Sequence, residues 1–108
     1  IPVPVHHGGR LICGFRIGPL AYITDAKTID AQTVEALNGV ELLVVNALRI
    51  APHHSHMSLD EALNFVKAVS PRKALLIHMS HDIGLHKEVN AMLPPDVQLA
   101  HDGLIVCI

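Results

Sequence analysis

Strand-length apolar runs recur along this chain, and three of them lead directly to a polar side chain. These polar residues are Asp25, Asn46 and His78. Continuous apolar runs are typical of strands that are covered on both faces in a layered α/β fold. Because ligands and metals collect just beyond the carboxyl ends of such strands, the pattern predicts one shared site built from these three residues.

The same pattern, read with the turn signals, predicts an alternation of strands and helices. The predicted strands are residues 11–17, 20–24, 40–45, 74–77, 97–100 and 104–108, and the predicted helices are residues 28–37, 58–69 and 83–93. Gly18-Pro19 and Asp102-Gly103 are turn signals, and each predicts a hairpin between the strands that flank it. Pro94-Pro95 ends the last helix.

The helix that follows residue 58 carries the clearest local signal. Ser58 and Glu61 have the spacing of a capping box, in which each side chain bonds the backbone N–H of the other residue. Strands at residues 40–45 and 74–77 flank this helix, so the three elements predict a right-handed crossover between parallel strands. The expected fold class is therefore α/β, a layered α+β arrangement with a mixed sheet.

Composition narrows the function classes. The 108 residues carry a net charge of −2 without a run of like charge, which argues against a nucleic-acid-binding face because phosphate binding needs clustered Lys and Arg. No apolar run is long enough to span a membrane, and Cys13 and Cys107 are expected to be buried free thiols of a reducing, cytoplasmic protein. Half of the residues are hydrophobic. In so short a chain, this surplus predicts an apolar face that a missing half or a second copy covers.

Nine histidines are the outlier of the composition. His6-His7, Asp25 and His78 adjoin different predicted strands, and imidazole with carboxylate is the donor set of a catalytic divalent metal. A hydrogen-bonded structural role for His78 stays open. The run His53-His54-Ser55-His56 is either a solvated loop or the source of a general acid at the mouth of the site. His81 and His86 are interpreted as surface or ligand-orienting residues, and Asp102 as a turn residue or part of the site.

The ordered combination of several motifs resembles the second half of a metallo-β-lactamase-fold hydrolase. The motifs are Gly14-Phe15-Arg16-Ile17-Gly18, Tyr22-Ile23-Thr24-Asp25, Asn46-Ala47-Leu48-Arg49, His56-Met57-Ser58-Leu59, His78-Met79-Ser80-His81 and Asp102-Gly103-Leu104. The combination is most similar to the branch that contains phosphoribosyl 1,2-cyclic phosphate phosphodiesterase and the tRNA 3′-processing endonucleases. The resemblance implies that residues 1–108 are the carboxyl-terminal half of an αββα sandwich, with helices on one face of the sheet. The amino-terminal half, with its His-x-His-x-Asp-His motif, would be absent.

The resemblance also implies roles for single residues. His7, with His6 as its competitor, Asp25 and His78 would bind metal, and His56 would protonate the leaving group. Asn46, His81 and Asp102 would orient ligands or contact the substrate. The intact protein would be a phosphodiesterase with two divalent ions, Zn or Mn, acting on a small cyclic phosphate or a similar diester, while the site in this chain alone would be incomplete. The alternatives are a tRNA-processing nuclease and a non-catalytic fragment that docks through its apolar face.

Overall fold

The chain forms one mixed sheet whose six strands lie side by side in the order of the sequence. The computed structural model describes residues 1–108. The strands are β1 (Pro2–His7), β2 (Arg10–Ile17), β3 (Leu20–Ile23), β4 (Leu42–Asn46), β5 (Lys73–Ile77) and β6 (Val97–Leu99). The helices are α1 (Ala31–Ala36), α2 (Leu59–Val69) and α3 (His86–Met92), with a 3₁₀ turn at His81–Ile83. Strands β1 to β3 are antiparallel and β3 to β6 are parallel, which confirms the predicted mixed sheet.

The crossover around α2 forms as its signals predict. The Ser58 hydroxyl accepts from the Glu61 N–H at 3.3 Å, and the Glu61 carboxylate accepts from the Ser58 N–H at 2.9 Å, so the capping box is complete. Val66 and Val69, with other apolar residues of the helix, are buried against the sheet. Helix α2 joins β4 to β5, which pair in parallel. It returns the chain to the opposite edge of the sheet, so β5 runs in the same direction as β4 and His78 follows it at the edge that carries Asn46.

Strand β1 was not among the predicted strands, and its two prolines restrict where in a sheet it can lie. It is the edge strand, and Val3 and Val5 are buried while Pro2 and Pro4 are exposed. Along β1, the N–H groups of every second residue point in the same direction, so the positions of Pro2, Pro4 and His6 are equivalent. The His6 N–H donates to the Thr28 carbonyl on the side away from β2. Proline, lacking this donor, is therefore tolerated there. The histidine pair ends this strand and also precedes β2, the strand predicted after it.

The two faces of the sheet differ in their cover. One face packs under all three helices in a core of 22 buried residues, which confirms the predicted placement of the helices. On the other face, Leu104 and Val106 pack against β4 and β5. Over β2 and β3 the same face stays open, and the large apolar side chains there are 44% to 66% exposed: Leu11, Phe15, Ile17 and Tyr22. A predicted apolar face is present, and the chain itself does not cover it.

Several predicted elements differ from the structure near the carboxyl end. The helix predicted for residues 83–93 is broken at Gly84, whose φ of 113° lies outside the helical region, so only the 3₁₀ turn and α3 form. The helix predicted for residues 28–37 is reduced to α1. The Asp102-Gly103 turn forms, but residues 104–108 are not a strand and the predicted hairpin is wrong. Their side chains pack across the sheet face instead of pairing with β6.

The prediction of two buried thiols is also wrong, since both cysteines are exposed. Cys13 lies on β2, where alternate side chains point to the open face of the sheet. Cys107 lies in the carboxyl-terminal segment, which covers the sheet without being covered in turn. None of the helices has the length and apolar character required to cross a lipid bilayer.

Candidate metal centre

The carboxyl ends of β3, β4 and β5 meet at one edge of the sheet and bring the predicted residues together. Asp25 follows β3 by two positions, Asn46 is the last residue of β4, and His78 directly follows β5. Asp25 and His78 have φ values of 63° and 61°, in the left-handed region that non-glycine residues rarely adopt. Such strain collects at functional sites, where the surrounding structure holds it. Here it turns both side chains out of the strand direction at the same edge.

Three side chains at this edge form a donor cluster. Asp25, His56 and His78 each offer one ligand atom, and these atoms all lie within 4.8 Å of one another. The Oδ1 atom of Asp25 lies 3.3 Å from Nε2 of His56 and 3.5 Å from Nε2 of His78. Ligand atoms around one tetrahedral zinc, with bonds of about 2.1 Å, are about 3.4 Å apart. The two distances from Asp25 and the two-imidazole, one-carboxylate donor set therefore fit a divalent metal ion.

His7 lies against this cluster, whereas His6 points to a different partner. The Nδ1 atom of His7 donates to the Asp25 carbonyl at 2.6 Å, and its ring packs edge-on against the His56 ring at 4.8 Å. A metal-binding histidine commonly donates its second ring nitrogen to a carbonyl in this way. His6 instead contacts the Asp30 carboxylate through Nε2 at 2.9 Å. His7 is not one of the three clustered donors, so its predicted role as a ligand stays a prediction.

The loop before α2 fixes the ring of His56. Its Nε2 contacts Asp25, and its Nδ1 lies 3.1 Å from the Ser55 hydroxyl. Nδ1 of His53 already accepts from the Ser55 N–H, so the Ser55 hydroxyl does not have to donate to it. When His56 is neutral, this hydroxyl can therefore donate to its Nδ1 atom. Burial lowers the pKa of His56 below 6.5, and the nearby imidazoles of His78 and His7 lower it further against the opposing effect of Asp25. A neutral imidazole is the form that binds metal.

Asn46 supports the loop that carries Asp25. Its side chain is fully buried and bonds both backbone groups of Ala26: Oδ1 accepts from the Ala26 N–H and Nδ2 donates to the Ala26 carbonyl, each at 2.8 Å. The same carbonyl also accepts from the Met57 N–H at 2.9 Å. Of the two predicted roles, contact with substrate and orientation of ligands, the geometry fits the second. The Asn46 amide thereby holds the loop of Asp25, and the Ala26 carbonyl connects that loop to the loop of His56.

The other two residues predicted to assist the site lie outside the cluster. The side chain of His81 is 94% exposed and contacts the neighbouring Asp82 at 3.3 Å. Asp102 is exposed in its turn, as its turn chemistry suggested. No role was predicted for Ser55, which contacts His56, or for Lys27, which lies two positions after Asp25. Their signal, a hydroxyl and an ammonium close in sequence to candidate ligands, is too common to be informative without the fold.

Comparison with known proteins agrees with this architecture. Residues 1–79 match the family described as Beta-lactamase superfamily domain. A Porphyromonas gingivalis (strain ATCC BAA-308 / W83) protein described as an octanoyltransferase is 36% identical over 104 residues, which cover 95% of this chain and 21% of that protein. Among solved structures, a new diphosphatase from the PhnP family superposes with a TM-score of 0.93 at 42% identity, over 96% of this chain and 41% of that one. The metallo-beta-lactamase fold protein YhfI from Bacillus subtilis superposes with a TM-score of 0.71 at 20% identity, over 95% of this chain and 46% of that one.

This chain matches only part of the length of each of these proteins. The chain spans 21%, 41% and 46% of the lengths of these relatives, so each of them contains more than is present in residues 1–108. The match to YhfI, at 20% identity, shows the fold alone. Together with the PhnP-family structure, it confirms the expected fold, a part of the metallo-β-lactamase sandwich.

Proposed function

This chain belongs to the family of beta-lactamase superfamily domains, and from that premise we propose that it is part of a metal-dependent hydrolase acting at phosphorus. The observation that carries the proposal is the cluster of Asp25, His56 and His78, whose donor spacing fits a divalent ion. The similar PhnP-family protein is named a diphosphatase. That name supports a phosphate-containing substrate, and within this class we favour a small cyclic or acyclic phosphodiester.

The residues of this chain supply only part of such a site. Asp25 and His78, with His7 beside them, would hold the metal, and two imidazoles with one carboxylate suit Zn²⁺ or Mn²⁺. When bound, a divalent ion supplies Lewis-acid activation of the phosphoryl group and of the attacking water. Two ions require more donors than these residues offer. We therefore propose that further donors come from a segment outside residues 1–108, or from a second copy of the chain, which would also cover the open apolar face.

His56 has two candidate roles in this reaction. Its Nε2 is close enough to be a ligand, since it lies 3.3 Å from Asp25 Oδ1 and within 4.8 Å of the donor atom of His78. As a general acid, it would instead keep a proton on Nε2 and donate it to the leaving oxygen. The Ser55 hydroxyl at Nδ1 supports either state, because a hydroxyl can donate or accept.

Alanine variants of the intact protein separate these roles when metal content and turnover are measured together. Asp25→Ala and His78→Ala should lose bound metal and hydrolysis of bis-(p-nitrophenyl) phosphate in step, because both are proposed ligands. If His56 is the acid, His56→Ala should keep its metal and lose about 10²–10⁴-fold in turnover for substrates with a poor leaving group. The loss should be smaller for p-nitrophenolate, which departs without protonation.

The control variant is His101→Ala, because His101 is an exposed histidine outside the cluster. It should leave metal content and turnover unchanged. A parallel loss of metal in His56→Ala would make His56 a ligand. Full activity in Asp25→Ala or His78→Ala would refute the proposed function.

A further inference from the structure

One ion pair joins the chain segment that follows Asp25 to the segment that follows His56, and neither of its members belongs to the cluster. The Lys27 ammonium donates to both carboxylate oxygens of Glu61, at 2.8 Å to Oε1 and 2.9 Å to Oε2. Lys27 follows Asp25 by two positions. Glu61 closes the capping box with Ser58, which follows His56 by two positions. A single carboxylate therefore contacts both chain segments just beyond their candidate ligands.

The geometry makes this contact more than an isolated surface pair. Glu61 Oε1 accepts from the Lys27 ammonium at 2.8 Å and from the Ser58 N–H at 2.9 Å, so one atom serves both segments. The side chains of Lys27 and Glu61 are 20% and 40% exposed, and the pair is only partly screened by solvent. Exposed ion pairs are worth little, but one that also caps a helix is held in a single geometry.

We propose that Glu61 is a positioning residue for the metal centre: through Lys27 and the amino-terminal cap of α2, it sets the distance between Asp25 and His56. Asp25 Oδ1 lies 3.3 Å from His56 Nε2, close to the separation of about 3.4 Å that a tetrahedral ion requires. Such sites function only when their donors are held within about 0.5 Å of the productive geometry. The reference to a metal rests on the proposed function, whereas the clamp between the two loops does not.

The variant that isolates the clamp is Glu61→Gln. Glutamine also completes a capping box, so α2 should still begin at Leu59. The glutamine side chain carries no charge, and its NH₂ group replaces one of the two carboxylate oxygens that Lys27 contacts. Asp60→Asn is the matched control, because Asp60 is the exposed acidic neighbour in the same first turn of α2. It removes the same charge from the same turn without touching the clamp.

Amide hydrogen exchange tests the clamp without any metal. The Met57 N–H, which bonds the Ala26 carbonyl between the two loops, should lose about 10-fold in protection in Glu61→Gln. The amides of Leu43 and Val45 in the central strand should change by less than about 2-fold, and Asp60→Asn should behave as wild type. An equal loss at all three amides would mean that Glu61 contributes only to global stability. Unchanged protection at Met57 would also overturn the proposal.

Zinc affinity of the intact protein, measured by competition with a chelator, provides the second readout. Residues that orient ligands typically contribute 10–100-fold to metal affinity. Because Glu61 acts through two segments, we expect a loss of about 10-fold in Glu61→Gln and none in Asp60→Asn. Equal zinc affinity in Glu61→Gln and wild type would overturn the positioning role. If the wild-type protein bound no zinc, the proposed function would fail, and the exchange data would still decide whether the clamp exists.

Discussion

Asn46 offers the sharpest test of how the fold builds the site. Its buried carboxamide bonds both the N–H and the carbonyl of Ala26, one residue beyond Asp25. Replacing Asn46 with alanine removes both bonds and leaves a small cavity beneath the loop. The variant should destabilise the fold and loosen the cluster at the same time, because the same two bonds serve both.

The loss in free energy of unfolding depends on whether the two Ala26 backbone groups find other hydrogen-bond partners. The Ala26 carbonyl keeps its bond from the Met57 N–H at 2.9 Å and loses little. No other partner is available to the Ala26 N–H in the structure, and an unsatisfied buried donor costs about 1–3 kcal/mol. The cavity left by the carboxamide adds about 1 kcal/mol. The free energy of unfolding should therefore fall by about 2–4 kcal/mol, toward the lower end if a water molecule enters the cavity.

Urea unfolding and zinc competition on the intact protein measure the two effects separately. The control is Thr33→Val, because Thr33 is also buried and donates to the Pro4 carbonyl at 2.7 Å, but in α1 and not at the cluster. It should lower the free energy of unfolding by about 1 kcal/mol and leave zinc affinity unchanged. A loss below about 0.5 kcal/mol in Asn46→Ala would refute the energetic argument. Unchanged zinc affinity in the folded variant would refute the link between Asn46 and the site.

Two further predictions concern pH and association. Burial raises the pKa of Glu61, but the bonds from Lys27 and Ser58 outweigh this effect and hold the pKa below 4.5. The stability that Glu61 contributes is therefore present above pH 4.5 and is lost as the pH falls through the folded-state pKa. Urea unfolding from pH 6 to pH 3 should show a smaller decline for Glu61→Gln than for wild type, and identical declines would contradict this. The 108-residue chain should self-associate through its open face, so light scattering should show a smaller species for Phe15→Lys but not for Met92→Lys, whose side chain lies exposed on α3. A monomeric wild-type chain at tens of micromolar would count against this surface.

Where the sequence predicted the structure correctly, the physical signal was local or periodic. The capping box of Ser58 and Glu61 and the apolar runs of β4 and β5 each depend on residues a few positions apart, so the crossover and its parallel strands could be predicted. Strand β1 could not, because Pro2 and Pro4 are acceptable only on an outer edge, and the position of a strand within a sheet is not a local property. The hairpin predicted at Asp102-Gly103 was wrong for the same reason: the turn forms, but tertiary packing sends the chain across the sheet face.

The candidate site divides in the same way. The strand-end rule predicted that Asp25, Asn46 and His78 would meet, because parallel strands deliver their carboxyl ends to one edge. The rule could not predict which of these residues would be a metal ligand and which would support the loops. The left-handed backbone of Asp25 and His78, the burial of Asn46 and the choice between His6 and His7 all depend on contacts between distant segments. The sequence predicted His81 to be either a surface residue or one that orients ligands, and its 94% exposed side chain lies outside the cluster.

The two roles open to His56 differ in the position of a single proton, and the surrounding loop accommodates both. With a proton on Nε2, the ring donates to Asp25 and Nδ1 accepts from the Ser55 hydroxyl, which is the arrangement of a general acid. With a metal on Nε2, the proton must lie on Nδ1 and the Ser55 hydroxyl accepts it. The hydrogen of the Ser55 hydroxyl would then point away from the His56 ring, while the Ser55 N–H keeps its bond to His53 Nδ1. No side chain has to move between the two states, so the geometry of the loop cannot favour one of them. The metal content of His56→Ala therefore discriminates between them, because a missing ligand lowers metal content and a missing proton donor leaves it intact.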